Sequence, residues 1–159
     1  MKLKPPRPIR PLTAGEQAIA HSVFGESLTL DDIRLTTAWW VLRGYAVSPN
    51  GWVYFHQDDF CEDFSDKPLH IRAWLVHELT HVWQIQQGMA VVRRAIFNRQ
   101  YSYTFKEGKS FFKYGIEQQA KMVEDFYVRR ELGKDCTAWQ ECVPFLDNFD
   151  GETKNNLIK

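Results

Sequence analysis

The chain has little of what would staple it, thread it through a bilayer or draw it to a polyanion. It carries three cysteines in 159 residues, Cys61, Cys136 and Cys142. An odd count makes no disulfide framework, and the absence of a Cys-x-x-Cys pair argues against a structural zinc knuckle. A bridge between Cys136 and Cys142 is conceivable from their spacing alone. No apolar run approaches the ~20 residues that span a bilayer. The opening Met1-Lys2-Leu3-Lys4-Pro5-Pro6-Arg7-Pro8 lacks the apolar core of a signal peptide. The expected location is therefore the cytoplasm at synthesis, with any export by a route that does not use such a signal. Net charge is also missing: Lys plus Arg and Asp plus Glu number 20 each. That balance gives no hint of nucleic acid or an anionic membrane, and neither is expected as a partner.

What is present is core-forming material. Hydrophobic residues make up 44% of the chain, with abundant Trp, Tyr and Phe, enough for one globular domain. Four of the seven prolines, Pro5, Pro6, Pro8 and Pro11, fall in the first twelve residues and predict an extended arm over 1–12. Thr13 and Glu16 form a capping box for a helix over 14–23, stopped by Gly25. Residues 32–37 alternate polar and apolar as a strand does. Ser48-Pro49-Asn50-Gly51 marks a hairpin between 44–47 and 52–55, because Asn-Gly tolerates positive φ. The acidic stretch Asp58 to Asp66 lacks the regular oxygen alternation and glycine turn of a calcium loop, and reads as solvated. Helices are predicted over 67–87, over 89–97, from about 114 to 133 and around 139–145, with a second hairpin or aromatic-bounded loop at 101–112. The fold class is α+β, with a small antiparallel sheet packed on the 67–87 helix. One domain covers 13–150, and 151–159 is a polar tail.

The helix over 67–87 contains Val76-His77-Glu78-Leu79-Thr80-His81-Val82-Trp83. Residues four apart share a helix face, so His77 and His81 can grip one ion. Glu78 stands beside the ion, placed to take a proton from metal-activated water. Leu75, Leu79, Val82 and Ile85 bury this helix, unlike an ordinary surface helix that happens to carry two histidines. His21, His56 and His70 are read as non-ligands. A third ligand is required from elsewhere. The pattern that continues to a third His meets Gln84 and Gln87 where it needs Gly and His, and is excluded. On the 114–133 helix the apolar stripe Ile116, Ala120, Val123, Tyr127 leaves Glu117 and Glu124 on one edge, while Asp125 points away. Helical geometry alone keeps both open.

His77-Glu78-Leu79-Thr80-His81 followed by Glu117-Gln118-Gln119-Ala120 resembles the gluzincin pattern of zinc metallopeptidases. The resemblance implies a minimal zincin-like domain in which Zn²⁺ is held by His77, His81 and Glu117, with Glu78 as catalytic base. Thermolysin-like members carry an Asp four residues after the third ligand to orient a ligand His. Here that position is Lys121, and Glu124 is the candidate for the orienting role. Arg10-Pro11-Leu12-Thr13-x-Gly15-Glu16, Pro49-Asn50-Gly51-x-x-Tyr54-Phe55-His56 and Tyr114-x-Ile116-Glu117-Gln118-Gln119 resemble small bacterial Vgr-related proteins associated with Rhs and Vgr elements of type VI secretion. That likeness implies a secretion effector or associated peptidase. It brings a peptide or peptidoglycan-like substrate, and Vgr or Rhs components or an immunity protein as partners. The rival expectation is a metal-stabilised zincin-fold adaptor without catalysis. Tyr101, Tyr103, Tyr114 or an Arg is expected to stabilise the oxyanion.

Overall fold

The computed structural model describes residues 7–91 and 100–146. Along them run β1 (Ile9–Arg10), α1 (Ala14–Phe24), β2 (Leu35–Thr37), β3 (Ala46–Val47), β4 (Val53–Phe55), α2 (Leu69–Gln86), α3 (Ile116–Glu131) and α4 (Thr137–Cys142). Short 3-10 turns occupy Gly25–Ser27, Phe64–Asp66 and Phe111–Lys113. The fold is α+β. The helix expected over 89–97 falls largely outside the described residues, as does the tail from 147.

Local chemistry accounts for most element ends. Thr13 Oγ1 accepts the Glu16 amide while the Glu16 carboxylate accepts the Thr13 amide, closing the capping box of α1. Pro68 precedes α2, where its missing N–H costs nothing, and Gly88 at φ 81° ends it in a conformation other residues disfavour. The 101–112 segment holds a turn and the start of a 3-10 helix, and no strand among the described residues. All three cysteines are free, so no Cys136–Cys142 bridge exists.

The sheet adds to one expectation and corrects another. Part of the proline-rich arm pairs as β1 with β2, Ile9 opposite Thr36 and Arg10 opposite Leu35. The strand order is β1-β2-β4-β3, and the central pair β2 and β4 is parallel, so the sheet is mixed rather than wholly antiparallel. The reason is topological. Residues 38–45 carry the chain past the β4 position, β3 then runs back along the open edge, and the Asn50-Gly51 hairpin returns β4 into the gap.

Leu35, Val53 and Phe55 of the sheet meet Phe64, Leu75, Leu79 and Val82 in one core with Met122, Val123 and Phe126 of α3. Each such side chain contributes about 1.5–3 kcal/mol on burial. Helices α2 and α3 pack along one another, with Ala120 fully buried between them. A small residue there lets the two backbones approach. At the far edge, Glu16 is fully buried beneath the arm. Its oxygens accept a two-pronged pair from Arg10 at 2.8 Å each, and the Phe64 amide at 2.8 Å.

Candidate metal centre

His77 and His81 lie one turn apart on the buried face of α2, and Glu117 lies in the first turn of α3. Their ligand atoms fall within 4.8 Å of one another. Glu117 Oε2 is 3.1 Å from His77 Nε2 and 3.2 Å from His81 Nε2. Among the described residues no other group of three or more His, Cys, Asp or Glu converges in this way. His56 instead accepts the Asp58 amide through Nδ1, and His70 is exposed.

The far nitrogens of the two rings decide what the near ones can do. His77 Nδ1 faces Glu124 Oε2 at 2.9 Å. His81 Nδ1 faces Gln84 Oε1 at 2.8 Å. The Gln84 amide is fixed by its nitrogen, which donates to the Ile116 carbonyl at 3.0 Å and to Gln119 Oε1 at 2.9 Å. Both Nδ1 atoms therefore meet acceptors and carry hydrogen. A neutral ring in that tautomer turns the lone pair of Nε2 toward Glu117. Three electron-rich atoms converging in a buried site need positive charge among them.

A proton or a metal ion can supply that charge. Burial works against a charged His77, but the Glu117 and Glu124 carboxylates outweigh it and raise the pKa to about 10 in the metal-free protein. Burial alone would raise Glu117, yet hydrogen bonds from both rings hold it well below the usual carboxylate range. Charging both rings at once is costly, because their centroids are only 5.0 Å apart. A tetrahedral ion with bonds of 2.0–2.1 Å sets its ligands about 3.3 Å apart. The observed spacings of 3.1 and 3.2 Å need little adjustment to match that. The donor set therefore fits a divalent metal of the kind that takes nitrogen and oxygen ligands.

Around this cluster is a cleft of ≈ 290 Å³, walled by Gly44, Tyr45 and Ala46 on one side and by Trp74, Tyr101 and Lys121 on the others. Glu78 faces the same cleft and is 4% exposed. Burial pushes its carboxyl above the ordinary range, and the His81 and His77 rings oppose this only in part. Ser48 Oγ donates to Glu78 Oε2 at 3.4 Å. Of the three tyrosines considered as donors, Tyr101 lines the cleft. The Tyr103 hydroxyl is engaged with Asp125 and Trp139, and that of Tyr114 with the Thr104 carbonyl.

Glu124 is also tied to Lys121 at 3.0 Å. Burial would raise Glu124, but His77 and Lys121 hold it below its ordinary value. The residue that sequence reasoning missed is Gln84, which entered only to exclude a three-histidine pattern. Its place three positions after His81, on the same helix face, was the available signal.

No family model matches the chain. It is 32% identical over 152 residues to the type VI secretion system spike protein VgrG2b of Pseudomonas aeruginosa, a match covering 88% of this chain. The chain spans about 15% of the length of that relative. The solved effector domain of Pseudomonas aeruginosa VgrG2b superposes with a TM-score of 0.72 at 32% identity, over 81% of this chain and 79% of that domain.

Proposed function

The chain belongs to the family of the VgrG2b effector domain, and on that footing we propose that it is a zinc-dependent hydrolase of peptide or related amide bonds, acting as a type VI secretion effector. The observation that carries the reading is the convergence of three lone pairs on one point beside a buried carboxylate that none of the three requires. His77, His81 and Glu117 would hold the ion, in the gluzincin manner. Bound there, zinc supplies a Lewis acid that polarises the scissile carbonyl and makes water acidic enough to ionise near neutral pH.

The chain's own side chains do the rest. Glu78 accepts the proton of the attacking water and delivers it to the leaving nitrogen. A carboxyl lifted by burial is better matched to that two-way transfer at neutral pH than an ordinary glutamate. Glu124 and Gln84 fix the two rings so that Nε2 of each faces Glu117, where the ion would bind. The open edge of β3, ending beside the cleft at Ala46, offers backbone groups to an extended peptide. Peptides and peptidoglycan cross-links both present such a chain, and Vgr or Rhs components and an immunity protein are the partners this setting brings.

Glu78→Gln is the test, with a peptide library and peptidoglycan fragments as substrates. The variant should keep its metal and lose about 10²–10⁴-fold in turnover. Full turnover in the variant would sink the mechanism. Metal binding without cleavage of any substrate by the unaltered protein would favour the non-catalytic adaptor.

A further inference from the structure

The segment between β2 and β3 carries an unusual surface. Trp39 is 93% exposed, Leu42 70%, Tyr45 59% and Trp40 48%. These are not side chains thrown out by a loose loop. Ala38 and Val41 are buried beneath them, at 4% and 3%. The Ala38 amide donates to the Phe55 carbonyl at 3.0 Å, Val41 to Ala38 at 3.2 Å, and Tyr45 to Leu42 at 3.1 Å. The Gly44 amide donates to Asp59 at 2.6 Å, pinning the far end. The backbone is held and the aromatic side chains are presented outward. The surface continues onto the sheet, where the rings of Trp40 and Trp52 flank that of Tyr54 at 6.0 and 6.5 Å.

Charge along this stretch of sequence is one-sided. From residue 33 to residue 57 there is no Asp or Glu, although the chain has 20. The same stretch holds three of the six tryptophans, Trp39, Trp40 and Trp52, and two arginines, Arg34 and Arg43. Arg43 is exposed among the aromatics, and Arg7 lies over the Tyr54 ring at 5.9 Å. The net charge of zero conceals this stretch, although the Asp59 carboxylate reaches its backbone at Gly44.

We propose that the 38–45 segment is a docking surface for an anionic lipid bilayer, which it enters to the depth of the headgroups. Indole and phenol rings favour that layer, where one end of the ring is apolar and the other wet, and Leu42 adds an aliphatic anchor. Arg43 and Arg7 complement anionic headgroups, and the Asp59 carboxylate that touches the segment is engaged by the Gly44 amide. A hydroxyl-rich glycan is a poorer fit. It would require free carboxylate or amide groups beside the rings, whereas Asn50 is already spent on Tyr54 and the Trp52 amide. No helix among the described residues is long and apolar enough to cross a membrane, so the contact is peripheral. Gly44, Tyr45 and Ala46 also wall the metal cleft. Docking would therefore set the cleft mouth against the lipid surface, within reach of substrates attached there. The docking surface stands whether or not the chain is a hydrolase.

The test uses the full chain with vesicles of phosphatidylethanolamine and phosphatidylglycerol, and with vesicles of phosphatidylcholine alone. Tryptophan emission should shift to the blue on the anionic vesicles and be quenched by brominated acyl chains. Trp39→Ser with Leu42→Ser should lower partitioning by at least about tenfold, with far-UV circular dichroism unchanged. Arg43→Glu should cost about fivefold or more on anionic vesicles and little on neutral ones. No partitioning of the unaltered chain, or equal partitioning of the double-serine variant, would overturn the proposal. So would binding to peptidoglycan sacculi, or self-association, that the double variant abolishes while vesicles go unbound.

Discussion

At the scale of single residues, the site rests on what stands behind each ligand. Glu124 and Gln84 hold His77 and His81 by their Nδ1 atoms, at 2.9 and 2.8 Å. Glu124→Ala should therefore weaken zinc binding by about 10–100-fold while leaving the fold intact, as read by chelator competition. Unchanged affinity would mean that Glu124 does not orient the ring. A pH dependence follows as well. The His77 pKa, ordinarily 6.5, is raised to about 10 in the metal-free protein. A raised pKa gives stability that is full below 6.5 and lost as pH rises through about 10. Chelated protein should thus lose thermal stability across that window, and metal-loaded protein, whose His77 carries no second proton, should not share the loss. Parallel melting curves would contradict this. The two histidines were legible as a pair because a helix puts residues four apart on one face, and Glu78 by its place directly after the first of them. Glu117 and Glu124 were not separable that way, since both occupy one edge of α3. The distinction is tertiary: Gln84 reaches from α2 to the start of α3, at Ile116 and Gln119, and sets that first turn against the histidines.

At the scale of elements, α1 and the 3-10 turn at Phe64–Asp66 lock the helix that bears the ligands. Asp63 Oδ1 accepts from Thr13 Oγ1 at 2.9 Å and from Ser65 Oγ at 2.6 Å. Gly15 lies so close to this turn that an added Cβ would stand 2.0 Å from Ser65 Oγ and 2.7 Å from its Cβ. Gly15→Ala should cost about 1–3 kcal/mol in urea unfolding, and Ser65→Gly should recover most of it. A neutral Gly15→Ala would mean that α1 and the turn are not locked together. Glu16→Ala should cost more, about 3–5 kcal/mol, because it strands the Arg10 guanidinium and the Phe64 amide. The cap at Thr13 and the hairpin at Asn50-Gly51 were readable because both are local chemistry. The pairing of β1 and the parallel β2–β4 contact were not. Strands of two or three residues carry too little alternation to announce partners far away in the chain.

For the whole molecule, His77 and His81 on α2 meet Glu117 on α3, so an ion bound among them would stabilise the fold. Zinc at a thousandfold excess over its dissociation constant adds about 4 kcal/mol. Chelation should then lower the melting temperature by on the order of 10 °C for a domain of this size. The α+β class was legible in the alternation of short strand patterns with longer helical ones, and 44% hydrophobic residues foretold a buried core. The summed charge is silent on local pattern, because it averages the stretch 33–57, which has no Asp or Glu, with acidic segments elsewhere. X-ray absorption at the zinc edge on the purified, unaltered chain tests the metal centre most directly. The prediction is a shell of nitrogen and oxygen at about 2.0–2.1 Å with the multiple-scattering signature of two imidazoles. Replacing Glu117 by Gln should alter that shell, while replacing any of the three cysteines should not. A sulfur shell near 2.3 Å, or protein that takes up no zinc at all, would contradict a site built from His77, His81 and Glu117.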